Sequence, residues 1–236
     1  MLFLILLSKS RIMSDQSSII DPDKVVDHFF RHESGRIISH LTRKFGADNL
    51  NLVEDAVQEA MIKAMQVWAF KGVPDNPSAW MMTVARNNLL DVLRRRSRLT
   101  FDVDTRDRYE ETTPVDSYDE FQDDQLRMMF VCCNPALNER SQVILTLKIL
   151  CGFGIREISK ALLIQESAAS KAYTRARNKL QELELNFEVP SGPELKNRLN
   201  IILKIIYLMF NEGYSSSSGD ALIKKDTCYE AMRLCK

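Results

Sequence analysis

Between Asn76 and Arg98 the chain reads NPSAWMMTVARNNLLDVLRRRSR, and its apolar positions fall on one side of a helix. Met82, Ala85, Leu89, Val92 and Leu93 share that stripe at helical spacing. Pro74 and Pro77 punctuate the start, and neither Pro nor Gly occurs between Pro77 and Arg98, so the pattern predicts one long helix. Its other side carries Trp80, Val84, Asn87, Asp91, Arg94 and Arg98, with Arg95 at the edge. An aromatic, then amides, then arginines makes a surface suited to nucleic acid, where cations meet phosphate and aromatics stack on bases. The same pattern also suits a core helix with a solvated basic end and Trp80 packed on a second neighbour.

Upstream, Asp21 and Pro22 predict the cap and first turn of a helix that carries Val26, Phe30, Ile37, Leu41 and Phe45 on one side. Gly35 weakens it and Gly46 stops it. Asn51, with Glu54 three residues on, predicts a capping-box start for the next helix. That helix buries Val53, Val57, Ala60, Met61, Ala64 and Trp68 and turns Asp55, Gln58, Glu59, Ile62, Lys63 and Gln66 outward. Ile62 among polar neighbours marks either a partner surface or an isolated surface apolar residue. KGVPDNP then turns the chain into the arginine-rich helix, so residues 21–98 are expected to form a three-helix bundle.

Residues 99–124 break the pattern. Ten acidic side chains from Asp102 to Asp124 face only Arg106 and Arg108, and Thr112, Thr113 and Pro114 interrupt any helix. This predicts an acidic linker with little to bury. A second helical block occupies residues 125–185. Met128 to Cys133 are core material, Asn134-Pro135 breaks the run, and Asn138 caps a helix holding Val143, Ile144, Leu147 and Leu150. Gly152-Phe153-Gly154 ends it. IREISKALL, a turn near Ile164, and ESAASKAYTRARNKL then give a helix-turn-helix pattern. In its second helix Ala169, Tyr173, Ala176 and Leu180 form the inner stripe, while Ser167, Ser170, Lys171, Thr174, Arg175 and Asn178 point away. Small hydroxyls with cations, and no acid between Ser167 and Lys179, allow close approach to a groove and to phosphates. An ordinary antiparallel helix pair with a solvated face fits the same residues.

Residues 193–236 add LKNRLNIILKIIYLMFNEGY, a helix too apolar to stand alone and too polar in its first turns to span a membrane, then a serine-rich loop and a last helix from Ala221. That pair exposes Leu222, Met232 and Leu234.

Composition narrows the classes. The chain has 236 residues, 45% hydrophobic and 27% charged, with 8 Gly and 7 Pro, which is globular. With weak strand signals, the fold class is all-α. Formal net charge is zero, so any nucleic-acid function must come from local segregation of charge. The 5 cysteines (Cys132, Cys133, Cys151, Cys228 and Cys235) show no CxxC spacing and have apolar neighbours, which fits buried thiols in a reduced cytoplasmic protein. His28, His32 and His40 lie far from them, so no metal site is expected. Residues 1–20 are read as a disordered or mis-started tail, with Met13 an alternative start. No nucleophile elbow, P-loop or HExxH is present, so neither an enzyme nor a cofactor is expected.

Taken in order, VEDAVQEAMIKAMQVW, NPSAWMMTVARNNLLDVLRRR and the helix-turn-helix from Ile155 to Leu180 resemble bacterial extracytoplasmic-function sigma factors. CCNPAL and YLMFNEGYSSSSGD resemble a subgroup whose C-terminus extends into helical repeats. The resemblance implies two helical domains, sigma region 2 over 21–98 and sigma region 4 over 125–185, and an extension that is cut short here. It implies that Asp55, Gln58, Glu59, Ile62 and Lys63 dock on core RNA polymerase. Trp80, Arg86, Asn87, Asn88, Asp91, Arg94 and Arg95 would read and open the −10 element of promoter DNA, with Asp91 placed to orient Arg95. Glu166, Ser167, Ser170, Lys171, Thr174 and Arg175 would meet the −35 element, and the acidic linker would run along the positively charged channel of polymerase. A regulatory partner or an intramolecular contact is implied for the extension. Two departures stand out: Asn134 replaces the subgroup's His, and Leu163 with Ile164 occupies a turn where most sigma factors place Gly. Leu163 is expected to avoid a left-handed conformation and so alter the turn. A free-standing helix-turn-helix regulator is the alternative, since it needs the second block but not the first.

Overall fold

The computed structural model describes residues 33–100, 118–183, 185, 187–214 and 225–235. Among the described residues all regular structure is helical. Helices α1 (Ser34–Phe45), α2 (Leu50–Lys71) and α3 (Pro77–Thr100) form the first block. A second block holds α4 (Tyr118–Cys132), α5 (Glu139–Ile149), α6 (Ile155–Ala161) and α7 (Glu166–Gln181). The last two helices, α8 (Gly192–Tyr214) and α9 (Lys225–Leu234), pair with each other. The helix expected to open at Asp21, the tail before it, and the linker between Phe101 and Ser117 lie outside the described residues, as does Leu222.

Local chemistry explains most of the boundaries. Asn76 accepts a hydrogen bond from the Ala79 amide at 3.0 Å and opens α3 behind Pro74. Asn138 does the same for α5, accepting from the Ser141 amide at 2.9 Å. At α6 the Glu157 carboxylate reaches back to the Gly154 amide at 2.8 Å. Gly46, at φ 90°, ends α1.

Three sequence expectations change. No capping box forms at Asn51 and Glu54: a 3₁₀ turn, Ala47–Asn49, runs directly into α2, so Asn51 lies inside the helix and Glu54 is buried. Val92 does not join the stripe of α3, which Met81, Met82, Ala85, Leu89, Leu90 and Leu93 make; Val92 is 41% exposed on the flank facing α2. Leu163 does adopt the left-handed conformation, at φ 53°. It sits just past the end of α6, where its amide bonds the Lys160 carbonyl at 3.2 Å and the Ile164 amide bonds the Ser159 carbonyl at 2.9 Å. This is a Schellman closure, usually built on Gly. Two backbone bonds and the packing of Ile164 on the core hold Leu163 in place, while its own side chain is 93% exposed.

The core is continuous across the two blocks, from Leu41, Leu50, Trp68 and Leu89 to Met128, Ile144, Leu147 and Ile158. The reason is α1, which packs against α2 on one side and against α4 and the end of α5 on the other. Gly35 meets the Leu150 carbonyl there without a side chain between them. Beside it, Asp124 of α4 is 1% exposed and pairs with His40 at 2.8 Å and Arg43 at 2.7 Å, both from α1. Helix α9 closes over this seam. Glu230 accepts from Arg36 of α1 at 3.4 Å and from Gln125 of α4 at 3.5 Å, while Arg233 donates to Gln125 at 2.6 Å.

Candidate nucleic-acid interface

Helix α7 places Ala169, Tyr173, Ala176 and Leu180 inward and leaves Glu166, Ser167, Ser170, Lys171, Thr174, Arg175 and Asn178 exposed. The Arg175 Nε–H donates to the Lys171 carbonyl at 3.3 Å and the Thr174 hydroxyl to the Ser170 carbonyl at 3.1 Å, which pins both side chains along the helix surface. Between this helix and the first turn of α5 lies an open cleft of about 580 Å³. Arg140, Lys171, Arg175 and Lys179 bring four cations to it, beside Ser141 and the Asn138 cap. The amide end of α5 adds a partial positive charge, so the cleft suits a phosphate backbone. Arg140 and Lys179 are not among the residues that the sequence pattern singles out. The available signal was Arg140's place two residues after a helix cap, in a turn that has to be exposed.

Arg177 behaves differently from its neighbours. It pairs with Glu54 of α2 at 3.3 Å and lies over the Tyr173 ring, 5.4 Å from its centre. The Tyr173 hydroxyl donates to the other Glu54 oxygen. Burial pushes the Tyr173 phenol well above its ordinary range and the Glu54 charge adds to this, so the hydroxyl remains a donor. Gln181 completes the contact by donating to the Asp48 carbonyl at 3.0 Å. Glu54, Tyr173 and Arg177 were not legible as a group, because 119 residues separate the first two.

On α3 the structure leaves Asn87, Asp91, Arg94 and Arg95 exposed and half-buries Trp80, Arg86 and Asn88. Trp80 is not a free aromatic platform: its ring centre is 5.4 Å from that of Trp68, with the planes at 60°. The Arg98 side chain lies outside the described residues. Asp91 and Arg95 are both solvent-exposed, and among the described residues no ion pair joins them. What α3 does share with α2 is a groove of about 310 Å³, lined by Leu52, Asp55, Ala56, Glu59, Asn88, Asp91, Val92 and Arg95. The Asn88 Nδ2 is buried there without a protein partner. Two residues of the expected polymerase face, Asp55 and Glu59, thus meet three of the expected −10 face. The rest of the α2 face continues outward through Gln58, Ile62 and Lys63, with Ile62 56% exposed and Met65 beside it at 44%.

Cys132, Cys133 and Cys151 are buried thiols; desolvation pushes Cys133 up to about 11 and the other two further. Among the described residues no cluster of His, Cys, Asp and Glu is arranged for a metal, and no helix is long and apolar enough to cross a membrane.

Comparison with known proteins gives three matches along the chain. Residues 29–99 match sigma-70 region 2, residues 127–180 match sigma-70 region 4, and residues 198–236 match a family of unknown function, DUF6596. An uncharacterized protein of Rhizobium meliloti (strain 1021) is 39% identical over 198 residues, which covers 80% of this chain and 46% of that protein. The chain therefore spans less than half the length of the curated relative it matches. No solved structure matches it significantly.

Proposed function

This chain belongs to the sigma-70 family as an extracytoplasmic-function-like member with a C-terminal extension, and from that premise we propose that it binds core RNA polymerase, directs it to particular promoters and helps to open them. Sigma-factor families are not enzymes, and the work asked of this chain is recognition and strand separation. In this reading residues 21–98 act as region 2, residues 125–185 as region 4, and residues 193–236 begin the extension.

The order of the two matched segments in one chain carries the reading. A free-standing regulator needs α6 and α7 but has no use for a first block that matches region 2. The surface of α2 through Asp55, Gln58, Glu59, Ile62 and Lys63 would dock on core polymerase, with exposed Ile62 as its apolar centre. The exposed end of α3 would meet the −10 element. Arg94 and Arg95 hold phosphates, and Asn87 and Asn88 hydrogen-bond the edges of extruded bases. Trp80 and Arg86 support that surface from its half-buried side. Helix α7 would enter the major groove at the −35 element, with Lys171 and Arg175 nearest base edges and Arg140 and Lys179 on the flanking phosphates.

The test is transcription from a library of upstream regions with the purified chain and core enzyme. Promoter-specific transcripts are expected; their absence removes the assignment. Arg94→Ala with Arg95→Ala should impair promoter opening while sparing core binding, and equal loss of core binding would show instead that the first block had unfolded.

A further inference from the structure

The two surfaces assigned to DNA lie too close together in this structure to serve one promoter. Arg95 shares a groove with Leu52 and Asp55 of α2, and Glu54, between them in sequence, holds Arg177 and Tyr173 of α7. Helix α2 is all that separates the two DNA-facing helices, so their axes stand two helix diameters apart, about 20–25 Å. Promoter elements centred near −10 and −35 are about 25 base pairs apart, or ~85 Å of B-DNA at roughly 3.4 Å per pair.

We propose that this arrangement is a closed, promoter-incompetent state of the chain, latched by Glu54 between Tyr173 and Arg177, and that docking on core polymerase releases it. The proposal rests on the two-element reading above.

The contacts across the seam have the chemistry of a releasable latch. Each joins a carboxylate of one element to cations of another: Glu54 to Arg177, Asp124 to Arg43 and His40, and Glu230 to Arg36. A desolvated ion pair gives little net stability relative to its separated, hydrated partners, yet removing one partner alone is costly. Such contacts hold one geometry and let the surfaces part when new partners take over the charges. Glu54 is positioned for that exchange. It is buried against α7, while Asp55 beside it and Gln58 one turn on are exposed on the face assigned to polymerase. A partner that seats on that face and draws on the Glu54 carboxylate competes directly with α7.

The test measures the separation of the blocks in the full chain. Spin labels go on cysteines at Gln66 of α2 and Asn197 of α8, both exposed, after Cys228→Ser and Cys235→Ser; the three buried thiols remain unlabelled. Pulsed dipolar spectroscopy on the free chain should give one narrow, short distance. Tyr173→Phe with Arg177→Gln, which keeps the ring and the apolar packing, should add a longer population. Glu54→Gln alone, a milder change of equal size, should add a smaller one. Core polymerase should move the unsubstituted chain to the longer distance. An identical distribution in the free chain and all variants, or a short distance retained in the polymerase complex, overturns the latch. Core binding is scored separately by gel filtration. Failure to bind removes the functional reading and leaves the comparison of free chain with variants to judge the latch.

Discussion

Gly35 of α1 lies so close to Leu150 at the end of α5 that a β-carbon on the glycine would stand 2.3 Å from the Leu150 carbonyl oxygen. The two backbones touch, and the neighbouring atoms belong to the main chain, so no side chain can swing aside. Glycine within a helix costs about 0.5–1 kcal/mol relative to alanine, so on local grounds Gly35→Ala should stabilise the chain. Overpacking a tight contact costs about 1–3 kcal/mol and should prevail. The expected result is a net loss of roughly 1–2 kcal/mol in urea unfolding. A gain would mean that α1 and α5 do not touch in solution.

The turn between α6 and α7 gives the opposite sign. An L-residue in the left-handed region costs about 1–2 kcal/mol, and Leu163 offsets none of that with its exposed side chain. Glycine there removes the strain but adds freedom to the unfolded chain, worth about 0.4–1 kcal/mol. Leu163→Gly should therefore raise stability by roughly 0.5–1 kcal/mol and shift the thermal midpoint upward. Leu163→Val, more crowded at that φ, should lower it.

Asp124 has almost no access to water and faces two cationic partners. Asp124→Ala leaves Arg43 beside an emptied site, and the expected loss is about 3–5 kcal/mol. Asp124→Asn, which keeps the size and one acceptor, should lose less. Equal losses would indicate that shape and not charge holds α1 to α4.

Acid should loosen the docking of α9. Burial pushes the Glu230 carboxyl up, but hydrogen bonds from Arg233 and Gln125 and the charges of Arg233 and Arg36 outweigh that, leaving it below the usual 4.5. With the folded value depressed, the stabilisation is fully present above 4.5 and disappears as pH falls below it through the folded value. Glu230→Gln should remove that part of the acid sensitivity, read from unfolding midpoints at pH 7 and pH 4. An unchanged difference between the two would show that Glu230 makes no such contribution.

Binding to duplex should register the exposed cations of α7. Lys171→Ala is expected to weaken affinity for all sequences and to reduce the slope of log affinity against log salt by about one. Arg140→Ala should act alike if the cleft between α5 and α7 holds phosphates. An unchanged slope removes the residue from the phosphate contacts.

Much of this architecture was legible in the order of residues because helices advertise themselves locally. The inner stripe Ala169, Tyr173, Ala176 and Leu180 and the buried row Val53, Val57, Ala60, Met61, Ala64 and Trp68 reflect a 3.6-residue period and are buried as expected. Asn138 is a cap because an amide oxygen ahead of an apolar run has free N–H groups to satisfy. Where local reasoning failed, a distant partner had intervened. Glu54 has the spacing of a capping box, yet Tyr173 and Arg177 offer it a stronger use. Leu163 violates the preference of its residue type because the closure after α6 and the seating of Ile164 compensate within the fold.

By itself, then, the sequence determined the helices, their buried faces, the two blocks and the family to which they belong, since each depends on periodicities and motifs within a few turns of chain. It also separated the cations of α3 and α7 from the acids between the blocks, which composition alone conceals under a net charge of zero. Only the tertiary structure decided that α1 joins both blocks into one core, that Glu54 faces α7, and that Trp80 leans on Trp68. Those are contacts between residues far apart in the chain. Their energies depend on which surfaces meet and how completely water is excluded, and no local pattern encodes either.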